Sequence, residues 1–154
     1  MTIPSLPMDG GCRCGQLRFR IAEAPMLTSA CHCTGCQRMT GSAYSLTVTV
    51  PDDGFEITKG EPVIGGLHGD VEHYHCPHCM SWVFTRPPDK TMGFVNVRAT
   101  MLDDTAWFLP FVENFTSEKL SWAKTPAKHS YAEFPPMEDY GKMIAEYSAS
   151  GNSS

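Results

Sequence analysis

Seven cysteines, gathered into three tight groups, constrain this chain more than anything else in it. The groups are Cys12/Cys14, Cys31/Cys33/Cys36 and Cys76/Cys79. The middle group places three sulfurs within six residues, spaced C-x-C-x-x-C. A thiolate is the usual soft ligand for zinc, and a C-x-x-C bends as a small knuckle that offers two sulfurs to one ion. Gly35 permits the tight backbone of that bend. The C-x half adds a third sulfur from an extended residue, so one short loop supplies three corners of a tetrahedron.

Zinc is preferred over disulfides for reasons of number and setting. An odd count leaves one cysteine unpaired in any all-disulfide scheme. The first residues, Met1-Thr2-Ile3-Pro4-Ser5, have neither a basic segment nor an apolar run, so they do not read as a secretory signal. A cytoplasmic setting keeps thiols reduced and makes clustered cysteines read as metal ligands. No apolar stretch is long enough to span a membrane. The net charge of −5 argues against a nucleic-acid partner, which favours a basic face.

The 154 residues, 42% of them hydrophobic, suffice for one domain with its own core. Residues 1–9 read as a flexible N-terminal arm, 10–136 as the zinc-binding domain, and 137–154 as a C-terminal helix with a frayed tail. Leu17–Ile21, Tyr44–Val50, Phe55–Thr58, Ser81–Thr85 and Phe94–Ala99 have strand character, most of them alternating. Residues 62–67 and 70–75 are further short strands. Gln37–Ser42 reads as one helical turn, Leu102-Asp103-Asp104 as a turn, and Trp107–Pro136 as irregular. Met137, Tyr140, Ile144 and Tyr147 recur at helical spacing. Short, closely spaced strands predict a mainly β chain built of small antiparallel sheets with a short C-terminal helix.

Seven sulfurs divide most simply into a set of four and a set of three. Cys12, Cys14, Cys76 and Cys79, two from each of two distant loops, would form a closed structural zinc site. Cys31, Cys33 and Cys36 are then left with a vacant corner, the arrangement of a zinc that meets substrate. Three thiolates weaken the ion as a Lewis acid towards water but suit it to accept another sulfur, which ionises on binding. Spacing alone leaves open whether His32, His73, His75 or His78 closes that corner. His32, between two ligands, points away from them in an extended chain. Gln37, Arg38 and Ser42 stand beside the site as substrate contacts. Tyr44, His73 and His75 are the available proton carriers. Arg18 and Arg20 read as the solvent face of a strand.

Taken together, Gly11-Cys12-Arg13-Cys14-Gly15, Cys31-His32-Cys33-Thr34-Gly35-Cys36-Gln37-Arg38 with Thr40-Gly41-Ser42, Tyr74-His75-Cys76-Pro77-His78-Cys79 and Leu102-Asp103-Asp104 carry a resemblance. So do Trp122 and Pro126. The chain, over residues 10 to 135, resembles the glutathione-dependent formaldehyde-activating family, which includes centromere protein V. The resemblance implies a zinc-binding β-tent fold, as in the ligand-binding domain of cereblon and in methionine sulfoxide reductase B. It also implies two zincs per chain, the one on Cys31, Cys33 and Cys36 being labile. Its activity would be a carbon–sulfur lyase run in the synthetic direction, condensing glutathione with formaldehyde. The chain departs from the family pattern at Met80, where the family has glycine, and at Gln37, which comes before the arginine. Two other readings use the same residues: a zinc-stabilised ligand- or protein-binding module, and a redox or zinc sensor. Oligomeric state has no signature, although the apolar stripe of the tail helix suits either its own domain or a second copy.

Overall fold

A computed structural model describes residues 5–151. Residues 1–4 of the expected arm and 152–154 of the expected frayed tail lie outside the described residues. Among the described residues eleven strands form two sheets. The smaller has three antiparallel strands in the order β1 (Met8–Gly11), β2 (Arg18–Ile21) and β5 (Phe55–Lys59). The arm therefore ends earlier than the sequence suggests, because Met8 and Asp9 already pair with Ile21 and Arg20. The close approach at Gly10 permits this: a Cβ there would lie 2.4 Å from the Met101 carbonyl oxygen and 2.4 Å from the Phe19 ring.

The larger sheet has eight strands. From one edge to the other they are β11 (His129–Ser130), β10 (Val112–Asn114), β3 (Leu27–Cys31), β4 (Ser45–Pro51), β9 (Phe94–Arg98), β8 (Trp82–Arg86), β7 (Glu72–His75) and β6 (Val63–Gly65). The sheet is mixed, since β10 runs parallel to both β3 and β11 while the other pairs are antiparallel. Among the described residues there are two α-helices, α1 (Thr34–Thr40) and α2 (Met137–Gly151), and four single-turn 3-10 helices. The chain is thus mainly β with a short C-terminal helix, as its alternating segments imply.

Alternation in β4 and β9 explains where the core lies. Val48, Val50, Val95 and Val97 point to one face, and they form a single apolar cluster with Phe19, Ile21 and Phe55 of the smaller sheet. The opposite face of β4, β9 and the adjoining β8 is polar yet still covered: Ser45, Thr47, Thr85 and Arg98 are all buried. A smaller cluster of Leu27, Phe111, Val112, Met143 and Tyr147 seats α2 near β3 and β10.

Candidate metal centre

The first cysteine group lies on the turn between β1 and β2, the last on the knuckle between β7 and β8. The fold brings them together, and the Sγ atoms of Cys12, Cys14, Cys76 and Cys79 all lie within 4.8 Å of one another. Cys12 and Cys14 are 3.5 Å apart, and Cys14 reaches Cys76 at 3.7 Å. The backbone N–H of Leu17 donates to Cys12 Sγ at 3.3 Å. Although desolvation opposes it, hydrogen bonds from Ser81 pull the Cys79 thiol down to about 5. Cys14 is pushed up to about 11 despite a backbone donor at Gln16, through its desolvation and the neighbouring sulfurs. The knuckle closes on Met80 with φ 59°, the left-handed region that favours glycine.

The second cluster forms where β3 ends and α1 begins. Cys31 is the last residue of β3, and Cys33 is the N-cap of α1, its Sγ accepting the Cys36 N–H at 3.3 Å. Cys31, Cys33 and Cys36 have their sulfurs within 4.8 Å of one another. Gly35 sits within α1, and a Cβ there would meet only Cys33 Sγ at 3.8 Å, so the bend does not depend on its lack of a side chain. The helix stops at Gly41, left-handed at φ 62°.

Electrostatics concentrate negative charge on one sulfur of the three. Its hydrogen bond with Cys31 outweighs desolvation and, helped by Ser45, Cys33 and the Arg98 charge, pulls Cys36 down to about 6. Cys31 is pushed up by the same hydrogen bond and by burial. Cys33 is pushed up chiefly by burial. Both clusters could hold a metal ion. Sulfurs at this spacing suit tetrahedral zinc, whose bonds to sulfur are about 2.3 Å long.

No histidine joins either cluster among the described residues. His32 is fully buried and points elsewhere, its Nε2 2.9 Å from Glu113 Oε2. Glu113 also accepts the hydroxyls of Ser130 at 2.6 Å and Thr125 at 2.8 Å. His73 Nδ1 pairs with Thr85 Oγ1 at 2.9 Å, and desolvation lowers its pKa. His75 is likewise lowered by burial, and its Nδ1 has no partner. His78 is exposed in the other knuckle. Tyr44 stacks edge-on against His32.

Of the three residues expected to touch substrate, Gln37 is tied down: its Nε2 donates to the carbonyls of His32 at 2.7 Å and Glu118 at 3.0 Å. Arg38 and Ser42 are exposed at the end of α1 and just beyond it. Arg18 forks onto Asp103, and Arg20 pairs with Asp9, on the surface of the small sheet. Sequence reasoning passed over Arg98, Ser45 and Glu113. Each sits at a polar position of a strand, and alternation alone does not say whether the polar face meets water.

Fold and sites together define a mainly β domain with two cysteine clusters, one of four sulfurs and one of three. Residues 7–118 match the model of the family described as glutathione-dependent formaldehyde-activating enzyme. That is most of the chain, and the chain belongs to this family. A Halomonas elongata protein named "Putative glutathione-dependent formaldehyde-activating enzyme" is 29% identical over 87 residues, covering 50% of this chain and 55% of the relative. The chain thus spans about half the length of that curated relative. A crystal structure of a Rhodobacter sphaeroides protein superposes with a TM-score of 0.51 at 16% identity, covering 62% of this chain and 88% of that one, a likeness of fold. No helix among the described residues is long and apolar enough to cross a membrane.

Proposed function

We propose that the chain adds a small thiol, glutathione foremost, to formaldehyde or a related aldehyde, as a carbon–sulfur lyase run in the synthetic direction. One observation carries this reading. Cys31, Cys33 and Cys36 converge within 4.8 Å, and among the described residues no cysteine, histidine, aspartate or glutamate completes the set. Three sulfurs with a vacant corner fit a zinc ion that takes an external ligand. Bound there, zinc would supply the Lewis acidity that ionises an incoming thiol while keeping its sulfur nucleophilic.

The chain's own residues hold and frame that site. Gln37 bridges the cysteine loop and residue 118, fixing α1 against its neighbour. Arg38 and Ser42, exposed beside the cluster, contact the thiol's polar groups. In the addition the thiol sulfur bonds to the carbonyl carbon, the π pair passes to oxygen, and the proton given up by the thiol returns to that oxygen. Cys12, Cys14, Cys76 and Cys79 would hold a separate, structural zinc, and four thiolates together would leave it no open position for substrate. All seven cysteines are free, which accords with a cytoplasmic setting.

The test is exchange spectroscopy, because the uncatalysed addition is itself fast. With glutathione and formaldehyde at equilibrium, the zinc-loaded protein should speed exchange between free thiol and hemithioacetal, and Cys33→Ser should abolish the gain. Exchange at the uncatalysed rate, with two zincs present per chain, would reject the reading.

A further inference from the structure

Strand β9 ends on a residue that the proposed reaction has not used. Arg98 is only 7% exposed. Its guanidinium carbon lies 4.1 Å from the centre of the Trp82 ring. Nη2 makes one long bond, 3.4 Å, to the Asn96 carbonyl, and Nε has no partner. Burial pushes its pKa down to about 10, so it keeps its charge at neutral pH. Among the described residues no carboxylate pairs with it; the acidic groups whose charge favours its protonated form are Cys36 and Cys31, and its own charge helps to lower His73. Leaving a cation buried without a carboxylate is expensive, and the Trp82 ring and one long carbonyl bond offset it only in part, so negative charge on the cysteine sulfurs is its ionic compensation among the described residues.

The register brings the same strands to the cluster. Cys31 lies opposite Ser45 on β4, and Thr47, two residues on, lies opposite Arg98 on β9. Ser45 Oγ is buried on this face without a hydrogen-bond partner, on the residue that pairs with Cys31. A buried cation and a buried, unpartnered hydroxyl thus share the face of the sheet on which β3 delivers Cys31.

We infer that Arg98 is the counter-ion of the three-sulfur site, its fixed charge allowing Cys31, Cys33 and Cys36 to bind a divalent cation and then admit a fourth sulfur from an external thiol. A divalent ion with three thiolates is net negative, and another thiolate adds to that. With Arg98 beside it the three-thiolate complex is neutral overall, so a further anion enters against no net repulsion. The second half of this inference rests on the proposed thiol-accepting role; the first does not.

The experiment uses the full chain loaded with cobalt(II), whose thiolate charge-transfer absorption reports each site. The second, weaker equivalent is measured by competition with a chelator, and glutathione is then titrated at fixed pH. Arg98→Met removes the charge. Arg98→Lys keeps it. Thr47→Asp leaves Arg98 on Trp82 and sets a carboxylate opposite it, so this variant decides the matter alone if Arg98→Met does not fold. Arg98→Met and Thr47→Asp should weaken the second cobalt equivalent by about tenfold or more, and glutathione binding by a similar factor, while Arg98→Lys stays within about threefold of the parent. Parent-like binding in Thr47→Asp and in any folded Arg98→Met would overturn the inference. So would an equal loss in Arg98→Lys and Arg98→Met, since shape rather than charge would then matter. A parent protein that binds the second cobalt but ignores glutathione would reject the thiol-accepting role, while the cobalt affinities of the variants would still decide whether Arg98 supports the metal.

Discussion

Met80 and Glu113 show how single residues stand in tension with their surroundings. Met80 is left-handed at φ 59° and the residue is 56% exposed. A non-glycine residue there costs about 1–2 kcal/mol, and little packing is gained in return. Met80→Gly relieves that strain but adds freedom to the unfolded chain, so a net gain of about 0.5–1 kcal/mol is expected in urea unfolding of the metal-loaded protein. Glu113 presents the opposite case. Desolvation raises its pKa, but Ser130, His32 and Thr125 more than offset this and hold the carboxyl below its usual range. A depressed carboxylate contributes stability above its unfolded pKa of about 4.3 and loses it as pH falls through the folded value. Glu113→Gln should therefore lose stability at pH 6–7, with the gap from the parent narrowing below about pH 4. Equal gaps at both pH values in denaturant titrations would mean that shape, not charge, is what His32 requires.

At the scale of elements, α2 is seated by an aromatic ring on its buried face, while its exposed side is tied by Tyr131 to Asp139 and by Lys128 and His129 to Glu146. Tyr147 is fully buried and meets Phe111 edge-on at 5.5 Å. Its hydroxyl has no hydrogen-bond partner, and the Thr28 hydroxyl is already used, donating to the Leu109 carbonyl and accepting the Phe111 N–H. Tyr147→Phe should be neutral or stabilising by up to about 1 kcal/mol, since it removes an unsatisfied buried group. Tyr147→Ala should cost about 3–5 kcal/mol in the same unfolding experiment. The helix was legible because Met137, Tyr140, Ile144 and Tyr147 keep a helical period. Strands β4 and β9 were legible because alternation marks their inward face. By contrast β3, β10 and β11 were not, since Leu27-Thr28-Ser29-Ala30-Cys31 has no clean alternation and the other two have three and two residues. Their pairing is long-range and parallel in part, and no local pattern announces it. The cysteine clusters were legible from spacing; the charge that faces them from β9 was not, because a strand's polar face reads alike whether it meets water or a thiolate.

Across the whole molecule the two clusters differ in what they join. Cys31, Cys33 and Cys36 close a loop of a few residues that already caps a helix. The other cluster bridges Cys14 to Cys76, 62 residues apart, and so ties the turn of the small sheet to the large sheet. A cross-link over a loop of that length removes about 4 kcal/mol of unfolded-state entropy, against much less for a link between near neighbours. Metal at the four-sulfur site should therefore act on global stability, and metal at the three-sulfur site on local order. In a graded chelator titration, the first metal per chain should leave with the near-ultraviolet dichroism intact. Loss of the second should coincide with its collapse. Cys14→Ser should lower the melting temperature far more than Cys33→Ser, measured with the metal content of each variant fixed by native mass spectrometry. Equal destabilisation by the two substitutions would mean that the three-sulfur loop is as much a clamp as the four-sulfur one. An exchangeable corner for a visiting thiol would then be hard to reconcile with the fold, because each departure of the ion would loosen the sheet that carries Arg98.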